Sequence, residues 1–308
     1  MSMAVQDSTV HVRAPGKINV YLGVGGALDD GYHALATVFQ AVSLWEDVYA
    51  EHAEGFSVTT VGEEADAVPT DDRNLALRAA RLLAQQTGYP DGVHLEVHKS
   101  VPVAGGMGGG SADAAAALLA CDALWGTGLS SAELHDLAAQ LGADVPFALQ
   151  GGTAVGKGRG DHLNPALARG RFEWVLALDG EGLSTPVVYR RLDEYRTEHG
   201  ALADDPPLSL EVPSGVLHAL LSGDPHDLAA AMHNDLQIAA IRERPRLEST
   251  IAAGSRAGAL RGIVSGSGPT IAFLCASASG ADRVLEELAA SGIRAVRASG
   301  PVHGARIV

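Results

Sequence analysis

Residues 102–111 read Pro102-Val103-Ala104-Gly105-Gly106-Met107-Gly108-Gly109-Gly110-Ser111, and Ala112-Asp113 then lead into a run of Ala and Leu. Glycines let successive backbone N–H groups turn inward and let the chain approach a ligand closely. A helix starting near Ser111 adds its positive N-terminal end. The chemistry this favours is the cradling of a polyphosphate. No Lys followed by Ser or Thr is present in the loop, so it is not a P-loop, and its glycines do not fit G-x-G-x-x-G. A second stretch, 151–158 (GGTAVGKG), begins like a P-loop but ends in Gly158 where a hydroxyl is needed.

The elements around the loop must position it. Val10 to Arg13 alternate and run into Ala14-Pro15-Gly16, which predicts a strand ending in a turn. Residues 35–51 and 56–61 are β-rich. Residues 71–87 open with Asp71-Asp72 and predict a capped amphipathic helix. Residues 93–97 alternate as a half-buried strand, helices are expected at 111–125 and 131–141, a Gly-rich hairpin at 151–163, and a strand at 172–178. Residues 184–210, rich in prolines and charges, predict a connecting region. Helices near 213–222, 226–241 and 246–258 follow, then strands at 260–265 and 270–275, a helix at 281–291 and a strand at 293–298. The pattern predicts an α+β chain in two domains, 1–180 and 181–308, with a site in the cleft between them.

At 308 residues the chain is long enough for two domains sharing a cleft. A net charge of −15 argues against nucleic-acid or anionic-membrane binding, so a phosphate site must act locally, through backbone dipoles and a few cations. Residues 1–13 lack the apolar core of a signal peptide, and the most apolar stretch, 114–125, is too short to span a bilayer. Cys121 and Cys275 lie in apolar patterns, as reduced core residues of a cytoplasmic protein. His94 and His98 share a strand face four residues apart, a long reach for one ion, and no metal-ligand motif exists, so no protein-held transition metal is expected.

Three segments together resemble the GHMP kinase superfamily: 13–23 (RAPGKINVYLG), the glycine loop, and 264–271 (VSGSGPTI). The resemblance covers nearly the whole chain. Residues 15–44 and 141–147 (LGADVPF) narrow it to the branch that phosphorylates the 2-hydroxyl of a cytidine-diphosphate-linked methylerythritol, in the non-mevalonate route to isoprenoid precursors. Gly31-Tyr32-His33 and Ala143-Asp144-Val145-Pro146 are its most specific parts.

The resemblance implies a two-domain GHMP kinase fold that uses ATP, with Mg²⁺ carried mainly by the nucleotide phosphates. It makes Asp144 the general base, although Val145-Pro146 also suits Asp144 as a helix N-cap. It puts Lys17 beside Asp144 and the moving phosphoryl, where a cation keeps the carboxylate ionised and offsets charge; the alternative is a solvated turn lysine. Asn19, two residues on, points the same way if the segment is extended. Residues 102–112 would hold the phosphates, and Ser111 would touch the β-phosphate or Mg²⁺, or cap the helix. Many relatives carry Ser-Ser-Asn where this chain has Ser111-Ala112-Asp113, so one hydroxyl contact is lost, and Asp113 should face away from phosphate. Asn74, Leu75 and Lys99 match adenine-pocket positions, though helix capping and strand-end solvation explain them too.

Tyr32 and His33 should read a cytosine by stacking and edge hydrogen bonding, against the alternative of a turn at Asp29-Asp30-Gly31. Tyr189 resembles a second stacking aromatic. Ser265, Gly266 and Ser267 should close the cleft near the substrate, or form a plain hairpin turn. The rival readings are another GHMP kinase acting on mevalonate, homoserine or a sugar, and a non-catalytic nucleotide-binding sensor on the same fold. The Tyr32-His33 pair argues against the first, and Lys17 together with Asp144 against the second.

Overall fold

The computed structural model describes residues 9–27, 31–200 and 210–308. Two sheets form its frame. The first holds β1 (Val10–Ala27), β2 (His33–Ala53), β3 (Phe56–Val61), β4 (Gly92–His98), β5 (Thr153–Gly158) and β6 (His162–Pro165). The second has the order β11-β7-β10-β9, from β7 (Phe172–Ala177), β9 (Arg261–Val264), β10 (Ile271–Cys275) and β11 (Ala295–Gly300). Two short strands, β8 (His233–Asn234) and β12 (Arg306–Ile307), return from the C-terminal half to pair with β1. The sheets thus do not divide the chain at one point: β7 sits in the second and β12 in the first.

Ten helices are described: α1 (Leu75–Thr87), α2 (Gly109–Trp125), α3 (Ser131–Leu141), α4 (Val145–Gln150), α5 (Thr185–Glu198), α6 (Ser214–Ser222), α7 (Pro225–Ala231), α8 (Gln237–Glu243), α9 (Arg246–Arg256) and α10 (Ala278–Ala290). Helices α1 to α3 bury Leu83, Leu118 and Leu137 against Val12, Val48 and Leu95 of the first sheet. Six of the eleven buried positions of α2 are alanine, which lets this helix lie close to the strands. A second core joins the sheets, with Ile18, Val20 and Val38 packed among Phe172, Trp174 and Leu176. The indole N–H of Trp174 donates to Gln40 at 2.9 Å across that core.

The expected turn at 14–16 does not form. β1 runs through it with a register shift between Pro15 and Gly16, because a proline that cannot donate to the ladder is accommodated at a bulge. The bulge also exchanges the faces of the strand. Val12 and Ala14 before it face the helices, whereas Ile18 and Val20 after it face the second sheet. Lys17 and Asn19 are thereby turned toward the glycine loop from within a strand, not from a turn.

Three other expectations are corrected. The helix read from residue 71 starts at Leu75, capped by Asn74, while Asp71 and Asp72 lie before it and pair with Arg73 and with Arg81 of α1. The connecting region read over 184–210 contains α5: Pro186 sits in its first turn, where a missing N–H costs nothing, and Val188 and Leu192 are its buried stripe. The single helix read over 226–241 breaks between α7 and α8, where Asn234 leaves the helix to donate to the carbonyls of Val264 (2.7 Å) and Gly266 (2.8 Å). Residues 201–209 of the expected connecting region, and Asp29-Asp30 of the expected turn, lie outside the described residues. No helix among the described residues is long and apolar enough to cross a membrane.

Candidate active site

Met107 anchors the glycine loop. Its side chain is fully buried, and its carbonyl accepts from the Lys17 N–H at 2.9 Å, tying the loop to β1. Gly106 has φ +77°, and a Cβ there would lie 2.2 Å from the carbonyl oxygen of Ser265. The Ser265 hydroxyl, itself buried, donates to the Gly106 carbonyl at 3.1 Å. The 265–268 turn therefore backs the glycine loop. No side chain caps α2, whose N-cap is Gly108, so its first-turn N–H groups remain available to a ligand.

These elements border a cavity of about 530 Å³ that brings most of the expected residues together. Among the residues that line it are Pro102 to Gly106, Gly108 to Gly110 and Ser111 of the loop, Asn74, Leu75 and Lys99, and Lys17, Asn19, Asp144, Tyr189, Gly266 and Ser267. Met107, Ala112 and Ser265 lie behind the wall, fully buried.

Lys17 Nζ stands 3.6 Å from the Asp144 carboxylate and donates to Asn19 Oδ1 at 3.0 Å. Asn19 in turn donates to the Thr37 hydroxyl (2.7 Å), which donates to the Tyr21 carbonyl (2.8 Å). The ammonium also sits 5.1 Å from the centroid of the Phe39 ring. A lysine only 9% exposed is thus held by Asn19 from within β1 and by Asp144 from the start of α4. Asp144 precedes α4 but makes no side-chain cap bond, so its carboxylate is committed to Lys17 and the cavity. A carboxylate beside an immobilised cation, at the open end of the glycine loop, has the chemistry to receive a proton from a hydroxyl placed there.

Behind the loop, Lys99 Nζ lies 2.8 Å from Glu46 and 2.7 Å from Asp113, all three side chains nearly inaccessible. Asp113 is held by Lys99, yet it still borders the cavity at the start of α2. Glu46 also accepts from the N–H groups of Ser100 (3.2 Å) and Val101 (3.1 Å), which shape the approach to the loop. Two carboxylates sharing one ammonium leave a net negative charge in a dry setting. Burial, reinforced by the Asp113 charge and only partly offset by Lys99, pushes the Glu46 carboxyl up to about 8.

A carboxyl raised above its unfolded value of 4.5 holds an extra proton in the native state between those limits, so its contribution to stability is lost as pH rises toward 8. Glu46→Gln should flatten this slope. Wild-type Tm is expected to fall more steeply than that of the variant between about pH 5 and about pH 8. Parallel Tm curves by calorimetry would show that Glu46 is ionised throughout.

The Asn74 amide is engaged in structure: it accepts from the N–H groups of Ala76 (2.9 Å) and Leu77 (3.2 Å) and donates to the Pro69 carbonyl (2.8 Å). Its contribution to the cavity wall comes from fixing the start of α1, beside Leu75.

A second cavity of about 450 Å³ adjoins the first, sharing Leu35, Arg159, Thr185 and Tyr189 with it. Tyr32 and His33 lie here. The Tyr32 ring is 58% exposed, with the Arg159 guanidinium 4.5 Å from its centroid. His33 is buried, its ring 5.1 Å from that of Tyr189 and its Nε2 3.0 Å from Asp193. Burial, with the Asp144 charge added, raises the Tyr189 phenol and keeps it protonated. Thr185 and Ser267 share a 2.8 Å hydroxyl contact across the cleft.

Arg159, Asp193, Thr185, Thr37 and Glu46 were not expected from the sequence. Only Arg159 carried a local signal, as a charged tip on the hairpin read at 151–163. Among the described residues no group of three or more His, Cys, Asp or Glu could hold a metal ion. His94 instead contacts Ser57 and Thr59, and His98 contacts Glu96.

This geometry agrees with the kinship of the chain. The family described as GHMP kinases N terminal domain matches residues 74–152, and GHMP kinases C terminal matches 216–294. A protein of Clavibacter michiganensis named 4-diphosphocytidyl-2-C-methyl-D-erythritol kinase is 56% identical over 308 residues, covering 100% of this chain and 99% of its own. One of the same name from Leifsonia xyli is 56% identical, covering 97% of this chain and 98% of its own. The crystal structure of a 4-(cytidine 5'-diphospho)-2C-methyl-D-erythritol kinase superposes with a TM-score of 0.75 at 33% identity, covering 94% of this chain and 98% of that one. The chain belongs to the GHMP kinases and, within them, to the 4-diphosphocytidyl-2-C-methyl-D-erythritol kinase family.

Proposed function

We propose that this kinase transfers the γ-phosphoryl group of ATP to the 2-hydroxyl of 4-diphosphocytidyl-2-C-methyl-D-erythritol. The observation that carries the reading is that two cavities join at Leu35, Arg159, Thr185 and Tyr189, with the Lys17–Asp144 pair and the glycine loop in the first and an aromatic and histidine-lined recess in the second. ATP would lie with its adenine toward Leu75 and Lys99 and its phosphates along residues 102–111. Mg²⁺ would arrive with the nucleotide and neutralise phosphate charge, with Ser111 and Asp144 the cavity side chains suited to touch it.

The acceptor would place its base between Tyr32 and Tyr189, beside His33, and its reacting hydroxyl at Asp144. As the hydroxyl oxygen forms its bond to the γ-phosphorus, the bond to the β-phosphate oxygen breaks and ADP leaves. The hydroxyl proton passes to the Asp144 carboxylate. Lys17, 3.6 Å from the Asp144 carboxylate, orients it and offsets charge on the phosphoryl oxygens. Gly266 and Ser267 close the site from the opposite side.

Mevalonate, homoserine and galactose have no base to occupy the second cavity. ADP release measured with each acceptor in turn should therefore show turnover with the cytidine compound alone. Equal or greater turnover with one of the others would retain the cradle and Asp144 but remove the cytosine site.

A further inference from the structure

His33 is described above as a residue that meets the base, but an imidazole can present either a donor or an acceptor. Which it presents is set by the partner of its other nitrogen. That partner comes from α5, 160 residues away in the chain. Both carboxylate oxygens of Asp193 lie against His33 Nε2, at 3.0 and 3.1 Å. An ionised carboxylate only accepts, so Nε2 must carry the hydrogen. The ring cannot readily turn: its side chain is 7% exposed, with Tyr189 packed 5.1 Å away. The described residues supply no partner for Nδ1. Helix α5 is itself pinned, since Arg196, one turn beyond Asp193, donates to the carbonyls of Val24 (2.7 Å) and Gly25 (3.1 Å) on β1.

We propose that Asp193 is a specificity-determining positioning residue: it holds His33 as the Nε2–H tautomer, so that Nδ1 accepts a hydrogen bond from a pyrimidine bearing an exocyclic amine and disfavours one bearing a carbonyl there. Cytosine presents an N–H₂ at that position and uracil an oxygen. Against a fixed acceptor the first gains a hydrogen bond, while the second sets two lone pairs face to face. The inference rests on the reading that the second cavity takes the base of a cytidine nucleotide.

Asp193→Asn removes the constraint, because an amide can donate to Nε2 and leave the proton on Nδ1. The cytidine and uridine forms of the acceptor are the probes, compared by kcat/KM in wild type, Asp193→Asn and Asp193→Glu. The ratio should favour cytidine strongly in wild type and fall at least about tenfold in Asp193→Asn, the change lying in acceptor KM while KM for ATP stays put. Asp193→Glu should restore part of the ratio. An unchanged ratio, or equal losses for both acceptors, would overturn the proposal.

The tautomer is read separately by ¹⁵N NMR of His33 at about pH 8, without any acceptor. Wild type should show a protonated Nε2 and a bare Nδ1, a signature lost or averaged in Asp193→Asn. A protonated Nδ1 in wild type would overturn the proposal even if the kinase acts as described. A correct tautomer with no turnover of either acceptor would instead count against the substrate reading.

Discussion

Asp144→Asn is expected to lower kcat by about 10²–10⁴ while leaving KM for ATP close to wild type. The substitution keeps shape and hydrogen-bonding reach but removes both the proton acceptor and the negative charge facing Lys17. Folding should survive. Asp144 caps no helix, and Lys17 keeps its bond to Asn19 and its place over Phe39. The loss should therefore fall on the chemical step, with Tm little changed. Steady-state kinetics in both substrates, with a thermal melt, checks this. Turnover near wild type would remove Asp144 from the role of base, and a large rise in KM for ATP with intact kcat would move it to nucleotide binding.

Gly106→Ala is expected to cost about 2–4 kcal/mol of stability and at least about 10² in kcat/KM. Its φ of +77° is strained for any residue with a Cβ. The added carbon would sit 2.2 Å from the Ser265 carbonyl oxygen, with Gly268 N and O at 3.0 and 3.1 Å. All three are backbone atoms, so relief requires the 265–268 turn and the glycine loop to separate. That separation breaks the Ser265–Gly106 bond and loosens both walls of the site at once. Gly110→Ala is the matched control for stability: its Cβ meets only Leu75 Cδ1, at an ordinary 3.5 Å. Denaturant melts of the two variants should differ clearly. Equal stabilities would mean that the loops are not held as described.

The parts of the site legible in the sequence are those whose chemistry is local. The glycine loop, Asp144 beside Pro146, Lys17 two residues before Asn19, and Tyr32-His33 each announce themselves within a few positions. What spacing cannot reveal is a partner brought in by the fold. Asp193 reaches His33 from a helix hidden by Pro186 and a charged surface, and the signal for that helix was only Val188 and Leu192. Glu46 lies in a strand long before Lys99 and Asp113, and nothing near it advertises a buried acid. Thr37 reads as one more β-branched strand residue until its bond to Asn19 is seen.

The fold shows the same division. Strands and helices with a clear period were found near their true limits, including β3, β4, α3 and the β5–β6 hairpin. Where a local breaker was overridden, the reason was tertiary. Pro15 does not end β1, because β2 and the bulge carry the strand past it. α7 stops at Ala231 because the segment after it is drawn into pairing with Tyr21 and Leu22. The pairing of β12 with β1 rests on Val12 and Arg13, and two residues hold no periodicity from which to predict it.

The central claim is phosphoryl transfer to a hydroxyl held at the Lys17–Asp144 pair, and ³¹P NMR of a reaction mixture tests it directly. With ATP, Mg²⁺ and 4-diphosphocytidyl-2-C-methyl-D-erythritol, a phosphomonoester resonance should grow in step with ADP, with the diphosphate bridge of the acceptor unchanged. ADP accompanied only by inorganic phosphate would mean that the site activates water instead of the acceptor, and would contradict the account.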